Sequence, residues 1–250
     1  MLREDIEYFQ LVFLRALAAR GEDKARVALK GGCNLRFYFS SLRYSEDIDF
    51  DVASLAKETL RNRVQRLLEA PSVTAPLRQR RLEIIDTSTP KQTATTQRWK
   101  IGLRLENGSV ARTKLEFSRR GTIAGAEFAA VSDDVRLRHG MTTVLSTHYG
   151  TRAAIVQKIQ ALADRKLPQP RDAFDLDLLF ARHDSHVVLA ACERTLLAPA
   201  IENALGIGFD DYASKVLAYL EPAQRDHHAS REAWNAMQAG VVARLEALAT

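Results

Sequence analysis

The run Arg43-Tyr44-Ser45-Glu46-Asp47-Ile48-Asp49-Phe50-Asp51 carries the densest chemistry in this 250-residue sequence. Side chains of a strand alternate between its faces, so Asp47, Asp49 and Asp51 point one way and Ile48 and Phe50 the other. Carboxylates repeated on one face repel and raise one another's pKa unless a cation lies between them. Magnesium, a hard ion that takes carboxylate oxygens together with substrate phosphates, removes that conflict. The other reading is an edge strand with an acidic solvent face, and an isolated Asp-x-Asp does not decide between them. Upstream lie Lys30, Gly31 and Gly32. Glycines let backbone amides approach a ligand, and a helix that follows offers its N-terminal N–H groups to a triphosphate. A Gly-Gly pair alone is as readily a turn; ahead of an Asp-x-Asp strand it fits the phosphate half of a site whose metal half follows.

The elements that must hold these residues fall into two halves. Residues 3–20 carry apolar side chains at helical spacing, closed by Gly21. The apolar run 27–29 leads into the glycines. A short helix is expected from Asn34 to Ser40, a strand from Tyr44 to Val52, and a helix over 54–70 capped by Ser54. Residues 82–85 read as a strand. Trp99, Ile101, Leu103 and Leu105 alternate with polar residues, Asn107-Gly108 intervenes, and alternation resumes through Ala111, Thr113, Leu115 and Phe117, a strong hairpin signal. From Gly150 onward helical periodicity dominates: Arg152–Arg165, Pro170–Arg182, Ser185–Leu197, Asp210–Leu220 and Ser230–Leu248. The expected class is α+β, with a mixed or antiparallel sheet in an N-terminal domain (1–148). A helical bundle (149–250) is expected to pack against it across the active-site cleft.

Composition bounds the function. With 46% hydrophobic and 27% charged residues the chain builds an ordinary core. It has no 18-residue apolar run, and its charged N-terminus lacks an apolar signal core, so a cytoplasmic protein without a membrane span is expected. Six histidines and two cysteines, Cys33 and Cys192, form no zinc pattern; both thiols are expected reduced and at least partly buried. Between Arg61 and Arg120, fourteen Lys/Arg stand against five acids, a local excess of nine. That is either a solvated basic face or a surface for a polyanion.

Lys30-Gly31-Gly32-x-Asn34-Leu35-Arg36 followed by Arg43-x-Ser45-x-Asp47-Ile48-Asp49-Phe50 resembles the AbiEii/MenT-type nucleotidyltransferase toxins of the polymerase-β-like superfamily. A departure is Cys33, where a Ser or Thr is usual; a thiol is the weaker donor, so no hydroxyl role is carried onto it. A second resemblance lies in Lys158 and Arg165, followed by Arg171-Asp172-x-x-Asp175-Leu176. The likeness spans roughly residues 25–180 and is most specific over 30–50. It implies a polymerase-β-like nucleotidyltransferase fold in the N-terminal half. It implies Mg²⁺ on Asp47, Asp49 and a third acid from a neighbouring strand, for which Glu116 is the candidate. Glu116 shares a hairpin face with Arg112, Lys114 and Ser118, so cross-strand pairing with a cation is the alternative. Lys30, Gly31, Gly32, Arg36 and Ser45 would bind the nucleoside triphosphate. Lys158 would reach its phosphates from the helical half, with Asp175 beside it; an inter-helix salt-bridge cluster is the alternative. The implied activity is transfer of a nucleoside monophosphate from NTP to an acceptor hydroxyl, the tRNA 3′ end in characterised relatives. The setting implied is a toxin–antitoxin or phage-defence system with a cognate antitoxin. A nucleotide-binding switch without transfer is the competing function.

Overall fold

The computed structural model describes residues 2–19, 21, 24–120, 122–182 and 189–249. Two compact units emerge, Met1–Ser40 with Tyr44–Tyr149, and Ser41–Arg43 with Gly150–Thr250.

The first unit starts with α1 (Leu2–Ala18), whose Glu4 and Asp5 suit the positive end of the helix dipole. From Ile6 to Leu14 it is buried on every side, Glu7 and Gln10 included. A helix enclosed in this way must find partners for its polar residues. There follow β1 (Val27–Lys30), α2 (Gly31–Tyr38), β2 (Asp47–Val52), α3 (Lys57–Glu69), α4 (Pro71–Gln79), β3 (Glu83–Gln92), β4 (Thr96–Arg104), β5 (Val110–Ser118), β6 (Ala126–Ala130), α5 (Asp133–Arg138) and β7 (Leu145–Tyr149). Among the described residues seven strands form one mixed sheet in the order β3-β4-β5-β2-β1-β7-β6. The β3–β4–β5 meander is antiparallel, whereas β5–β2 and β1–β7 run parallel. Asn107-Gly108 closes the β4–β5 hairpin, with Gly108 at φ +79° and the Asn107 side chain accepting from the Ser109 N–H. One sheet face is core: Ile48, Phe50, Trp99, Ile101, Leu103, Leu115 and Phe117 are buried, and the Phe50 and Phe117 rings stack at 4.8 Å.

Several boundaries differ from expectation. The strand begins at Asp47, not Tyr44. α2 starts on the glycines themselves rather than at Asn34. α3 starts at Lys57 without a side-chain cap, and Ser54 sits at φ +52° instead of capping it. The helix α4, with β6 and β7, was not expected. Pro71 occupies the first turn of α4, where no N–H is needed. Arg20, at the expected end of α1, lies outside the described residues.

The second unit is helical: α6 (Thr151–Asp164), α7 (Pro170–Arg182), α8 (Ala191–Arg194), α9 (Leu197–Leu205), α10 (Phe209–Lys215), α11 (Pro222–His228) and α12 (Arg231–Ala249). Tyr212 stacks on Trp234 at 4.5 Å within its core. Of the helix expected over Ser185–Leu197, residues 185–188 lie outside the described residues. The remainder is the single turn α8 and a bend, and α9 starts where that helix was to end. Cys192 is exposed, not partly buried as expected, while Cys33 is buried. Among the described residues no helix is long and apolar enough to cross a membrane.

Candidate active site

The turn from β1 into α2 is shaped around a carboxylate. Gly31 has φ +69°, and a Cβ placed there would lie 2.9 Å from Asp49 Oδ2. Only glycine accepts both the left-handed backbone and that approach. Lys30 occupies the N-cap of α2 and no side chain caps it, which leaves the first-turn N–H groups for a ligand. The Lys30 Nζ reaches Asp51 Oδ1 at 2.6 Å, and the Tyr149 hydroxyl donates to the other Asp51 oxygen at 2.9 Å.

Register assembles the rest. In the antiparallel β1–β2 pair Lys30 stands opposite Asp49; in the parallel β2–β5 pair Asp49 stands opposite Glu116 and Asp47 opposite Lys114. In β4, Arg98 faces Glu116 and Lys100 faces Lys114. Asp47, Asp49 and Asp51 are half-buried while Ile48, Phe50 and Val52 are buried, so the three acids share the face that alternation assigns them. Glu116 lies beside Asp49 and is also paired, through its Oε2, with Arg98 (Nη2 2.6 Å, Nε 2.7 Å). Asp47 Oδ2 lies 2.7 Å from Lys114 Nζ. A cleft of about 650 Å³ exists elsewhere in this unit, between α3, α4 and β3; its walls include none of these carboxylates.

Beneath the acids runs a buried support. The Ser45 hydroxyl donates to the Asp47 carbonyl at 2.8 Å, and Gln10 Nε2 donates to the Ser45 carbonyl at 3.0 Å. The Cys33 thiol lies 3.2 Å from the Asp47 carbonyl and 3.3 Å from Gln10 Oε1. Burial, and then the Asp49 charge, push that thiol well above its ordinary range. Cys33 therefore faces inward, and Ser45 shapes the backbone of the carboxylate strand. Arg36 requires a correction. It is buried with Nε 2.5 Å from Glu7 Oε2 and its guanidinium over the Tyr44 ring, so it is an internal ion-pair partner and not a nucleotide ligand. Glu7 also meets His139 Nε2 at 2.8 Å. Burial pushes the Glu7 carboxyl up, but hydrogen bonds from His139 and Arg36 outweigh it and hold it below the usual range. Glu7, between Ile6 and Tyr8 in the buried stretch of α1, is the acid of that helix that needs such partners.

In the second unit, Lys158 of α6 meets α7 through Asp175 Oδ2 at 2.6 Å and Asp172 Oδ1 at 3.1 Å. Arg165 Nε lies 2.9 Å from the other Asp172 oxygen. Arg43 contacts both Asp175 oxygens, at 3.2 and 3.0 Å. Both aspartates are fully buried. Burial pushes Asp175 up, and the Arg43 and Lys158 charges overrule it, holding the carboxyl below its ordinary value. Asp175, grouped with the nucleotide-binding residues, is thus a buried clamp for two cations and holds Lys158 in place. Arg43, which no sequence argument had given a role, closes the cluster.

A sequence profile described as "Nucleotidyl transferase AbiEii toxin, Type IV TA system" matches residues 12–248. The chain belongs to the AbiEii family. Its fold recurs in JHP933 of Helicobacter pylori (20% identity over 95% of this chain and 90% of that one, TM-score 0.60). It recurs in a candidate nucleotidyltransferase of H. pylori (20% identity, 97% and 96%, TM-score 0.64). It recurs also in MenT4, a nucleotidyltransferase toxin of Mycobacterium tuberculosis (17% identity, 96% and 82%, TM-score 0.67). At these identities the likeness is one of fold. No curated protein matches the sequence.

As an AbiEii-family chain it belongs among nucleotidyl transfer toxins, with a nucleotide as substrate. Its donor set suits a hard divalent ion in kind: carboxylates from two neighbouring strands on one partly solvated face. As they stand, no three His, Cys, Asp or Glu side chains among the described residues group as a ready ligand set. Asp47 and Glu116 are turned to Lys114 and Arg98 instead.

Proposed function

We propose that this AbiEii-family chain is a magnesium-dependent nucleotidyltransferase that moves a nucleoside monophosphate from an NTP to an acceptor hydroxyl. We take the acceptor to be the 3′ end of a tRNA in the cytoplasm, and a cognate antitoxin to restrain the toxin. The observation that carries this reading is Asp49, held in register between Glu116 and Lys30 with the Gly31 turn against its carboxylate.

In this reading the first-turn amides of α2, with Gly31, Gly32 and Lys30, hold the triphosphate. The acceptor oxygen attacks the α-phosphorus in line, the bond from that phosphorus to the bridging oxygen breaks, and pyrophosphate leaves. Glu116 orients the hydroxyl and takes its proton. Magnesium, bound by Asp47, Asp49 and Glu116, would supply charge neutralisation at the transferring phosphate. Within the helical unit, Lys158 is steadied by Asp175 and Asp172. The excess of basic residues over 61–120 suits an RNA held by phosphate and shape.

The test is direct. The purified chain is incubated with each labelled NTP, magnesium and total tRNA beside an Asp49→Ala variant. Label is expected on RNA, with a loss of about a thousandfold in the variant. No transfer, or equal transfer by the variant, overturns the mechanism. In cells, equal growth arrest by wild type and Asp47→Ala overturns the toxin reading alone.

A further inference from the structure

Cations stand where a metal site should least tolerate them. Across β1, β2, β5 and β4, the three rows level with Asp47, Asp49 and Asp51 hold four acids (Asp47, Asp49, Asp51, Glu116) and four cations (Lys30, Arg98, Lys100, Lys114). The face is neutral with no metal bound. Lys114 and Arg98 sit on the two acids that flank Asp49, one along the strand and one across it. A divalent ion arriving at these carboxylates must displace both cations, since like charges at such distances repel strongly. If they served only as counter-ions they would oppose the metal without benefit.

Resting on the transferase reading above, we propose that Lys114 and Arg98 are place-holders that pass from carboxylate to phosphate. Without metal they neutralise Asp47 and Glu116 and prevent the acids from repelling one another. With metal and triphosphate present, Asp47 and Glu116 would hold the ion, and the Lys114 ammonium and Arg98 guanidinium, released from them, bind phosphate oxygens of the nucleotide. The chemistry suits the exchange. Both pairs are partly exposed, and such pairs are weak enough to open readily. Arg98 presents a planar fork that matches a phosphate as well as a carboxylate, and Lys114 a compact charge on a flexible stem. Because the face starts neutral, a triphosphate adds more negative charge than one metal ion offsets, which favours keeping both cations at the site, now on phosphate.

The exchange predicts opposite effects of one substitution. Mn²⁺ binding to the whole chain is measured by the loss of free-ion EPR signal, first alone and then with a non-hydrolysable NTP analogue. Analogue affinity is measured in parallel by calorimetry. Lys114→Gln removes the competing cation, so Mn²⁺ alone is expected to bind about fivefold more tightly. The analogue is expected to bind about tenfold more weakly, because a phosphate contact is lost. Lys114→Arg is expected to restore both, and Arg98→Gln to follow Lys114→Gln. Affinities that move in the same direction, or analogue binding that stays unchanged, overturn the hand-over. Asp49→Ala separates the two levels of the argument. If wild type binds no Mn²⁺ even with the analogue, the metal-dependent reading falls and the hand-over with it. If Asp49→Ala abolishes binding and Lys114→Gln leaves both affinities unaltered, only the hand-over falls.

Discussion

The charged face of β2 and β5 and the Lys158 cluster are built from the same parts at the same distances. Lys114–Asp47 and Arg98–Glu116 measure 2.7 and 2.6 Å; Lys158–Asp175 and Arg43–Asp175 measure 2.6 and 3.0 Å. Burial separates them. The acids of the first pairs are 28% and 30% exposed, and Asp175 is 0% exposed. A partly solvated pair adds about 1 kcal/mol or less and can exchange partners. A buried acid that loses its partners is left with an uncompensated desolvation cost. Distance does not rank these contacts; access to water does. The exposed face is suited to turnover of ligands, and the buried cluster to holding Lys158 in one place.

The largest effect that probes this contrast is on stability. Asp175→Asn is expected to destabilise the second unit by about 3–5 kcal/mol, because Lys158 and Arg43 remain buried without their shared charge. Glu116→Gln is expected to cost about 1 kcal/mol or less. The chain has two tryptophans, Trp99 in the first unit and Trp234 in the second. Guanidinium unfolding in a Trp99→Phe background therefore follows Trp234 alone. Equal losses for Asp175→Asn and Glu116→Gln, each read in its own unit, would remove the distinction. The sign of the pH dependence is fixed as well. The folded Asp175 carboxyl lies below its ordinary value of 3.8, so its contribution is complete above that value. It is lost as pH falls through the lower folded value. The stability gap between wild type and Asp175→Asn should be flat from about pH 5 to 8 and narrow in more acid solution.

A smaller effect sharpens the other side of the contrast. Of the two glycines at the β1–α2 turn, Gly31 has the positive φ and the Asp49 carboxylate within 2.9 Å of a would-be Cβ. Gly31→Ala is expected to cost about 1–2 kcal/mol in backbone strain and to weaken Mn²⁺ binding by moving Asp49. Gly32→Ala is expected to leave metal binding near wild type. Thermal unfolding and EPR titration of both variants decide it, and equal behaviour would show that the turn does not shape the carboxylate.

What was legible in the sequence follows from the range of each interaction. The shared face of Asp47, Asp49 and Asp51 and the Asn107-Gly108 hairpin depend on neighbours a few residues apart, and both were readable. That Glu116 lies level with Asp49 depends on parallel pairing of strands more than sixty residues apart in sequence, which alternation alone does not specify. Arg36 was placed with the phosphate-binding residues because spacing says nothing of which way a short helix turns. Its partner Glu7 lies on α1, nearly thirty residues away in sequence, and no local pattern links the two. The spacing within α6 and α7 predicted that Lys158, Asp172 and Asp175 could share a cluster, but not that Arg43 would join it from beyond the first unit.

The smallest expected effect concerns the two thiols, where the same rule of burial applies without any ion pair. Cys33 is buried under the carboxylate strand, and burial followed by the Asp49 charge keeps its thiol protonated at neutral pH. Cys192 is exposed in the second unit. Since the thiolate is the reactive species, a disulfide reagent should titrate one thiol in the native chain and two in guanidinium. Two rapid equivalents in the native chain would mean that the strand opens to solvent and that the support under Asp47 is not closed. Cys33→Ser should change stability by about 1 kcal/mol at most, because a hydroxyl can donate to the same Asp47 carbonyl. Cys33→Val keeps the volume and removes the donor. A Mn²⁺ affinity that falls with Cys33→Val and is retained with Cys33→Ser marks the side chain at position 33 as a positioning group for Asp47, acting through the backbone and not through phosphate.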